Sequence, residues 1–396
     1  MKEKQPIKFV SDAVRAIGPY RLWIAGCILT LLATVVRLYS SFFHLILRAD
    51  DSVPFDFGLR YIETNAWFGG DQVYGAIDTA DYPPASYAIF WPFMGWLSLP
   101  DAQWLWTILS LIALAVTGRL LVRESGAKIL SERLFFCLLP FSIYPTNSSV
   151  IVGQLPTHLL PVIAISLLTL ERGKGRLSRD ILSSALFIIA LVKPQITAPF
   201  FLIMLFRPGR LRPAIMTVAG YLSLTIIAKM FQPSDWITLL KGWSGQRDQI
   251  SWVWGHTSVY TWMKSAGLHD LALPASLLLL TGFAIWLWVH RKADFWILVG
   301  VTALISRLWI HHRVYDDLIV LLAMVPLFRL ANSSESTDGE RTTGYLLFFI
   351  NWVIFIAPLG FVLATVHYPL IQLPARVFVA TVWLTTLGYL ASRSKR

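Results

Sequence analysis

Residues 83–99, PPASYAIFWPFMGWLSL, decide how the rest of this chain is arranged. The stretch is apolar, but it is shorter than the ~20 residues that a membrane-spanning helix needs, and Pro92 interrupts its middle. Its aromatic residues suit the boundary between a membrane and water. We therefore predict that it forms a helix lying along a membrane surface rather than a span.

The composition indicates a membrane protein. The chain has 396 residues, of which 56% are hydrophobic and 14% charged, and its mean hydropathy is +0.59. Since apolar runs recur along the whole sequence, we expect an all-α polytopic membrane protein that forms one domain over residues 1–396. Residues 1–21 are polar and basic and no small-residue cleavage pattern follows them, so the first apolar run should remain as a transmembrane helix.

About twelve apolar stretches are candidates for transmembrane helices. Two of them, 181–193 and 195–206, are short and meet at Lys193-Pro194, which leaves open that they form one broken unit. The predicted spans are 22–47, 103–122, 133–150, 157–170, 181–193, 195–206, 213–231, 271–289, 294–310, 317–330, 345–366 and 377–391.

The distribution of basic residues predicts the orientation. If 83–99 lies on the surface, the short basic loops all fall on the side of the N-terminus, with roughly two thirds of the 34 Lys and Arg residues. By the positive-inside rule both termini are then cytoplasmic. The net charge of +11 belongs to this topology, and no nucleic-acid-binding module is visible. Two cysteines give neither a disulfide framework nor metal-ligand spacing; we predict no cofactor and leave a divalent-metal requirement open.

Two outer segments, 48–102 and 232–270, are long, and each contains an amphipathic helix of the kind that lies in a membrane interface. The first is expected over 54–68, where Gly69 and Gly70 end it. The apolar faces consist of Phe55, Leu59, Ile62 and Ala66 in the first helix and of Trp236, Leu239, Leu240 and Trp243 in the second.

Polar residues of the predicted outer side collect in these segments and at the adjoining ends of the spans. Such residues near a bilayer usually mark a functional site. A carboxylate can act as a general base, and Lys, Arg and His can bind and neutralise a phosphate leaving group. The set therefore suits sugar transfer from a lipid phosphate, and would equally suit binding of a phospholipid head group. Its members are Asp56, Arg60, Tyr61, Asp81, Tyr82, Asn147, Gln154, His158, Lys193, Gln195, Arg247, His256, Arg307, His311, His312, Arg313, Asp316 and Asp317.

Several of these residues stand in an order that resembles a known family. The stretch FDFGLRYIETNAWFGGDQVYGAIDTADYPPASYAIFWPF, residues 55–93, is similar to the first-loop signature of the GT-C glycosyltransferases of family 87, which include polyprenol-phosphate-mannose-dependent mannosyltransferases. The matching elements are Asp56-Phe57, Tyr61, Gly70 with Tyr74, Tyr82-Pro83-Pro84, Gly153-Gln154, Lys193-Pro194 and the late stretch WIHHRVYDDLIVLLAMVPL.

The resemblance implies a GT-C fold and an inverting hexosyltransferase on the extracytoplasmic face of a bacterial cytoplasmic membrane. The donor would be a polyprenyl-phosphate-linked sugar, mannose by resemblance, and the acceptor a lipid-linked or envelope glycan among membrane lipids. Asp56 matches the catalytic base, and the phosphate needs no general acid because it leaves already ionised. The substrate-binding residues would be Arg60, Tyr61, Tyr82, Gln154, Lys193, His256, His311, His312 and Arg313.

The residues of the first outer segment also have structural interpretations. Asp56 lies in the first turn of its helix, where the helix dipole favours any acid. Arg60, one turn later, would either pair with Asp56 or meet a phosphate. Tyr82 would either contact a sugar or, with the prolines after it, form a rigid connection to the surface helix. Gln154 would bind a sugar hydroxyl or cap a helix.

The later residues leave similar choices open. Lys193 would extend to the interface or contact phosphate at the helix break made by Pro194. His311 and His312 point about 100° apart on a helix and are poor joint ligands for one metal ion. Ile310 stands where the family often has an acid.

Two further positions bear on the substrates. Asp316 and Asp317 would replace the missing acid, although solvation is the stronger expectation. His256, in a His-Thr-Ser sequence where relatives tend to have Asn-Gln-Ser, leaves the sugar and the acceptor open.

Two other functions compete with transfer. A polyprenyl-phosphate or lipid transporter should place its charges at the bilayer midplane in repeated halves, whereas this chain shows no repeat and collects its charges at one surface. An inactive membrane scaffold would leave the outer polar residues without a common site.

Overall fold

The computed structural model describes residues 19–42, 55–173, 175–249, 257–356 and 369–394. These residues are predominantly helical and include no strand, as the sequence predicts. Two 3-10 segments, His269–Leu271 and Val314–Val320, lie between α-helices. The α-helices are α1 (Pro19–Phe42), α2 (Phe55–Gly69), α3 (Pro84–Met94), α4 (Leu99–Ser125), α5 (Leu130–Ser142), α6 (Tyr144–Val152), α7 (Pro156–Arg172), α8 (Leu177–Ala190), α9 (Pro194–Phe206), α10 (Leu211–Lys229), α11 (Trp236–Gln249), α12 (Val259–Ser265), α13 (Ala272–Val289), α14 (Phe295–Leu308), α15 (Leu321–Ala331), α16 (Asp338–Ile356) and α17 (Pro369–Ser392).

Length and hydropathy identify the helices that can cross a membrane. Among the described residues five helices qualify: α1, α4, α10, α13 with the 3-10 turn before it, and α17. Helices α5 and α6 together make a sixth, bent by 41°, and α9 and α14 are shorter apolar helices. Leu32 and Leu278 are exposed by 58% and 74%, as expected where lipid covers the surface. The chain is therefore a multi-pass membrane protein, and the number twelve remains a prediction.

Two predicted spans differ from the helices observed, and a third is described only in part. The stretch 133–150 is divided between α5 and α6, because Ile143 is extended and Pro145 starts a new helix. The stretch 317–330 begins as the 3-10 segment and becomes α-helical at Leu321. Of 345–366, residues up to Ile356 lie in α16 and the rest fall outside the described residues.

The break at Lys193-Pro194 is confirmed. Helix α8 ends at Ala190, Lys193 has a non-helical backbone, and Pro194 is the first residue of α9. Proline is well suited to this first position because it has no N–H to satisfy. The break places the side chain of Lys193 at the junction between two helices.

The helix expected within 83–99 is α3, and its location on a membrane surface stays a prediction. It has 11 residues and a length of ~16 Å, about half of the ~30 Å hydrocarbon core of a bilayer. Side-chain hydroxyls attach it to its surroundings: Ser86 donates to the Val192 carbonyl at 2.8 Å, and Tyr61 donates to the Leu97 carbonyl at 2.9 Å. The first bond holds the segment against the helix break at Lys193, and the second holds it against α2.

Helices α2 and α11 also form where the apolar periodicity predicts them. The buried ring of Trp67 in α2 stacks on Tyr87 of α3, with ring centres 4.4 Å apart, and its Nε1 donates to the Ala228 carbonyl of α10. The Asp235 carboxylate accepts the backbone N–H groups of Ile237 and Thr238 at the start of α11. The first outer segment is thus packed on the end of α10.

Helix α14 forms the centre of the bundle. All its residues are buried, and it packs against α9, α15 and α17. A Cβ on Gly300 would lie 2.6 Å from Cγ of Pro326 in α15, so glycine permits the close approach of these two helices. The chain leaving α14 carries residues 311–313 toward the first outer segment.

Candidate active site

Asp56 is a buried carboxylate that is unpaired among the described residues. It lies in the first turn of α2 and is 8% exposed. Within the described residues it forms no hydrogen bond and no ion pair. Its charge acts on Tyr82, Arg313 and Tyr315, each from a different part of the chain. We call these four residues the Asp56 site. A carboxylate kept free of counter-ions is available to accept a proton.

Arg313 provides the positive charge of the Asp56 site. Its backbone N–H donates to Oδ2 of Asp316 at 3.0 Å, whereas its guanidinium contacts no carboxylate among the residues that the structure describes. Burial lowers the pKa of Arg313, but Tyr315, Asp56 and Asp316 raise it above the ordinary value. The guanidinium remains charged and is free to bind an anion beside Asp56.

Lys193 forms a buried ion pair with Asp316. Its Nζ lies 2.6 Å from Oδ1 of Asp316 and 3.5 Å from Oε1 of Gln154, and it stands 4.9 Å from the centre of the Tyr315 ring. Lys193 and Asp316 are 4% and 3% exposed. Burial by itself raises the pKa of Asp316. Lys193 and His312 lower it by more than burial raises it, so the pKa lies below its ordinary value.

The expectation that Asp316 is solvated is therefore wrong. Desolvation of Lys193 at the helix break requires a counter-charge, and the 3-10 segment after residue 313 turns Asp316 inward to provide it. The sequence did not predict this ion pair, because 123 positions separate Lys193 from Asp316.

The histidine pair contributes neutral imidazoles. Nδ1 of His312 lies 3.3 Å from Oδ2 of Asp316, and its Nε2 has no hydrogen-bond partner among the described residues. Both ring nitrogens of His311 are likewise unpartnered there. Burial lowers the pKa of His312, and burial together with His312 and Arg313 lowers the pKa of His311 to about 3.

Burial thus favours the neutral form of both imidazoles, and a role of the pair in binding the donor stays a prediction. With Asp316 accepting from Nδ1, the Nε2 atom of His312 carries a lone pair. It can accept a hydrogen bond from a hydroxyl.

Arg60 belongs to a second, fully paired group. Its guanidinium lies 2.8 Å from Glu63 and 3.1 Å from Asp81, and it donates to the Thr79 carbonyl at 3.0 Å. The alternative that Arg60 pairs with Asp56 is therefore wrong. We call Arg60, Glu63, Thr79 and Asp81 the Arg60 cluster. Tyr82 stands between the two groups, since Arg60 lies 4.6 Å from the centre of its ring.

Glu63 was missed by the sequence analysis. It is fully buried, and it accepts hydrogen bonds from Thr79 at 3.0 Å and Tyr87 at 3.3 Å. Burial raises the pKa of Glu63 to about 7, although Arg60 lowers it. The signal was present, because Arg60 and Glu63 are three residues apart on one helix and such positions are neighbours.

Comparison with protein families identifies the chain. The sequence profile of glycosyltransferase family 87 matches residues 81–328, more than half of the sequence. This chain belongs to glycosyltransferase family 87. No curated protein and no solved structure matches it significantly.

Membership of family 87 confirms the resemblance read from the loop motifs. The matched region contains Tyr82, Gln154, Lys193, Arg313 and the 3-10 segment. It begins after Asp56, Arg60 and Tyr61, so the role of Asp56 in this family 87 protein is argued from its surroundings. The hydroxyl of Tyr61 is already used to hold the Leu97 carbonyl.

One predicted residue of the family 87 chain, Asp317, lies in a different ion pair. Asp317 was also expected to be solvated, but it pairs with the fully buried Arg307, which stacks on Trp383 at 5.3 Å. His256 lies outside the described residues. Within the described part of the chain no group of three His, Cys, Asp or Glu side chains is arranged to hold a metal ion.

Proposed function

We propose that this family 87 glycosyltransferase moves a hexose, mannose by family resemblance, from a polyprenyl-phosphate donor to a lipid-linked or envelope glycan, with inversion. The proposal rests on one observation: the buried carboxylate of Asp56 and the guanidinium of Arg313 are electrostatically coupled, yet neither is paired within the described residues. Opposite charges held apart in this way leave room for a substrate to separate them. A transporter would have no need of such a base.

The chemistry follows from the two groups. A carboxylate oxygen of Asp56 takes the proton of the acceptor hydroxyl, and the hydroxyl oxygen attacks the anomeric carbon of the donor sugar. The bond from that carbon to the phosphate oxygen breaks, and its electron pair leaves with the polyprenyl phosphate. Arg313 binds the charge that develops on this leaving group. A single displacement inverts the configuration, and the proton remains on Asp56 until it passes to water.

The surrounding residues position the donor. Lys193 and Asp316 form a neutral pair, so Lys193 offers its remaining N–H as a hydrogen-bond donor rather than a free charge. The Nε2 lone pair of His312 can accept a hydrogen bond from a hydroxyl of the sugar. The amide of Gln154 can hydrogen-bond to a sugar hydroxyl as well. Tyr82 closes the site on the side of Arg60.

The topology completes the proposal. Both termini are placed in the cytoplasm of a bacterial cell, and the surface helices α2, α3 and α11 lie on the extracytoplasmic face of the cytoplasmic membrane. The site is then at the depth of the lipid head groups, where a polyprenyl chain can stay in the bilayer while its phosphate reaches Arg313.

Substitution of Asp56 tests the proposal. With purified protein in lipid, polyprenyl-phosphate mannose and a mixed glycolipid acceptor pool, Asp56→Asn should lower the transfer rate by about 10³-fold, within the range for loss of a general base. Donor binding should persist, because the phosphate contacts are unchanged.

A matched control is Asp78→Asn. Asp78 is an exposed acid of the same outer segment, and its variant should keep the wild-type rate. An Asp56→Asn protein that transfers as fast as the control would remove Asp56 from the role of base. If the wild type moves the lipid across the bilayer without transferring sugar, the chain is a transporter.

A further inference from the structure

Tyr315 is the one member of the Asp56 site that has no part in the reaction proposed above. It is the second residue of the 3-10 segment Val314–Val320 and stands two positions after Arg313. The residue as a whole is 8% exposed. A side chain buried between the proposed base and the proposed phosphate ligand can contact the same substrate.

The hydroxyl of Tyr315 is unbonded and accessible. It forms no hydrogen bond with any residue that the structure describes, and it is not one of the buried polar atoms left without a partner. The oxygen therefore reaches the accessible surface, although the ring that carries it is buried. Since a buried tyrosine usually places its hydroxyl on a hydrogen-bond partner, this hydroxyl is available to a ligand.

The ring of Tyr315 is held in place before a substrate binds. Nζ of Lys193 lies 4.9 Å from the ring centre, a distance at which a cation is attracted to an aromatic face. Asp316, the next residue along the chain, holds the same ammonium group at 2.6 Å. Helix α6 packs against the 3-10 segment that carries both residues. The hydroxyl is thus a preorganised donor.

The surrounding charges keep the proton on this hydroxyl. Burial, followed by Asp56 and Asp316, raises the pKa of Tyr315 well above its ordinary value, although Arg313 lowers it. After burial, Tyr315 has the largest effect on the pKa of Arg313, ahead of Asp56. Because such effects weaken with distance, the phenol lies close to the guanidinium and remains a hydrogen-bond donor at neutral pH.

We propose that Tyr315 is a second ligand of the leaving phosphate, donating its O–H to a phosphate oxygen of the polyprenyl-phosphate donor beside the guanidinium of Arg313. The assignment rests on the proposed function, which brings that phosphate to the Asp56 site. A hydroxyl without an acceptor and a guanidinium without a carboxylate, placed side by side, are together complementary to an anion.

The contact has a defined part in the displacement. The bond between the anomeric carbon and the phosphate oxygen breaks, and its electron pair passes to the phosphate. The hydrogen bond from Tyr315 and the charge of Arg313 stabilise the phosphate as this charge develops. The proton stays on the phenol, so Tyr315 acts as a hydrogen-bond donor and not as a general acid.

Tyr315→Phe tests the assignment, because it removes the hydroxyl and keeps the ring that Lys193 contacts. Binding of farnesyl phosphate and of farnesol is measured with purified protein in lipid nanodiscs. The Kd for farnesyl phosphate should rise about tenfold, as for loss of a hydrogen bond to a charged group, and the Kd for farnesol should stay unchanged. With the sugar donor, kcat/KM should fall by at least the same factor, since the phosphate charge is larger in the transition state.

Tyr345→Phe is the matched control. The hydroxyl of Tyr345 donates to Oδ1 of Asn332 at 2.7 Å, outside the Asp56 site, so both Kd values should equal those of the wild type. The unfolding temperature of Tyr315→Phe should also stay at the wild-type level, because its hydroxyl forms no bond in the described part of the chain. A Tyr315→Phe protein that binds farnesyl phosphate as tightly as the wild type, or that loses affinity for farnesol to the same extent, would overturn the assignment.

The phosphate contact and the transfer reaction can fail separately, because binding of farnesyl phosphate requires no sugar. An active wild type with unchanged farnesyl phosphate binding in Tyr315→Phe overturns the role of Tyr315 alone. Weakened binding in Tyr315→Phe, together with a wild type that transfers no sugar, supports the phosphate contact and overturns the transfer reaction.

Discussion

The Arg60 cluster and the Asp56 site begin one helical turn apart on α2, yet they differ in how completely their charges are paired. In the Arg60 cluster, Arg60 contacts Glu63, Asp81 and the Thr79 carbonyl. In the Asp56 site, Asp56 and Arg313 have no such partners among the described residues. Buried polar groups normally satisfy one another, so the first group is suited to holding the fold and the second to binding a substrate.

The largest effect on stability is expected from breaking the Arg60 cluster. Arg60→Met leaves Glu63 buried without its cation, and removal of one partner of a buried pair costs about 3–5 kcal/mol. We expect a cost near 3 kcal/mol, since Glu63 can take up a proton. Thermal unfolding at pH 8 should show the loss.

The double variant Arg60→Met/Glu63→Gln is its control. It should recover most of the lost stability, because the charge that remains without Arg60 is that of Asp81, whose side chain is 28% exposed, whereas Glu63 is fully buried. Equal unfolding temperatures of Arg60→Met and the wild type would show that the cluster is not structural, and the contrast with the Asp56 site would then disappear.

The pH dependence of stability should follow Glu63. Its pKa is about 7 in the folded protein against an ordinary 4.5, so the folded state binds this proton more tightly. The stabilisation is complete below about pH 4.5 and is lost as the pH rises through 7. The shift corresponds to no more than about 3.5 kcal/mol, at ~1.4 kcal/mol per pKa unit.

Glu63→Gln isolates this contribution. Unfolding temperatures of the wild type and of Glu63→Gln are compared between pH 5 and 8. The wild type should lose stability relative to the variant across this interval, and parallel curves would contradict the assignment.

Arg313→Gln tests the Asp56 site, the group whose charges are unpaired among the described residues. It removes the charge that faces the leaving phosphate, and a hydrogen bond to a charged group contributes about 1.5–3 kcal/mol, or roughly 30-fold in kcat/KM. The unfolding temperature should hardly change, because the guanidinium forms no ion pair in the part of the chain described. A large drop in stability with unchanged kcat/KM would reverse the roles of the two groups.

The smallest effect is expected for His312→Asn. The asparagine amide can still donate to Asp316 in place of Nδ1, while the Nε2 lone pair is lost. An uncharged hydrogen bond contributes about 1 kcal/mol, so kcat/KM should fall about fivefold. The Lys193 and Asp316 pair stays intact, and stability should stay at the wild-type level. An unchanged kcat/KM would exclude His312 from sugar binding.

The amino-acid sequence was sufficient for features that depend on neighbouring residues. The 3.6-residue periodicity of α2 and α11, the short helix α3 and the break at Lys193-Pro194 are confirmed, because backbone sterics and amphipathic patterning act within a few turns. The position of Asp56 in a first helical turn is equally local.

Pairing between distant side chains was decided only by the tertiary structure. Asp316 looked solvated beside Asp317, and Lys193 looked like a free cation, until α9 and the 3-10 segment brought them within 2.6 Å. Arg37 stands within an apolar stretch of the sequence, and only the packing of α1 against α6 places its guanidinium 5.3 Å from the centre of the Tyr144 ring. Whether a buried charge is paired or free depends on helix packing over long sequence separations, and the residue types alone do not contain that information.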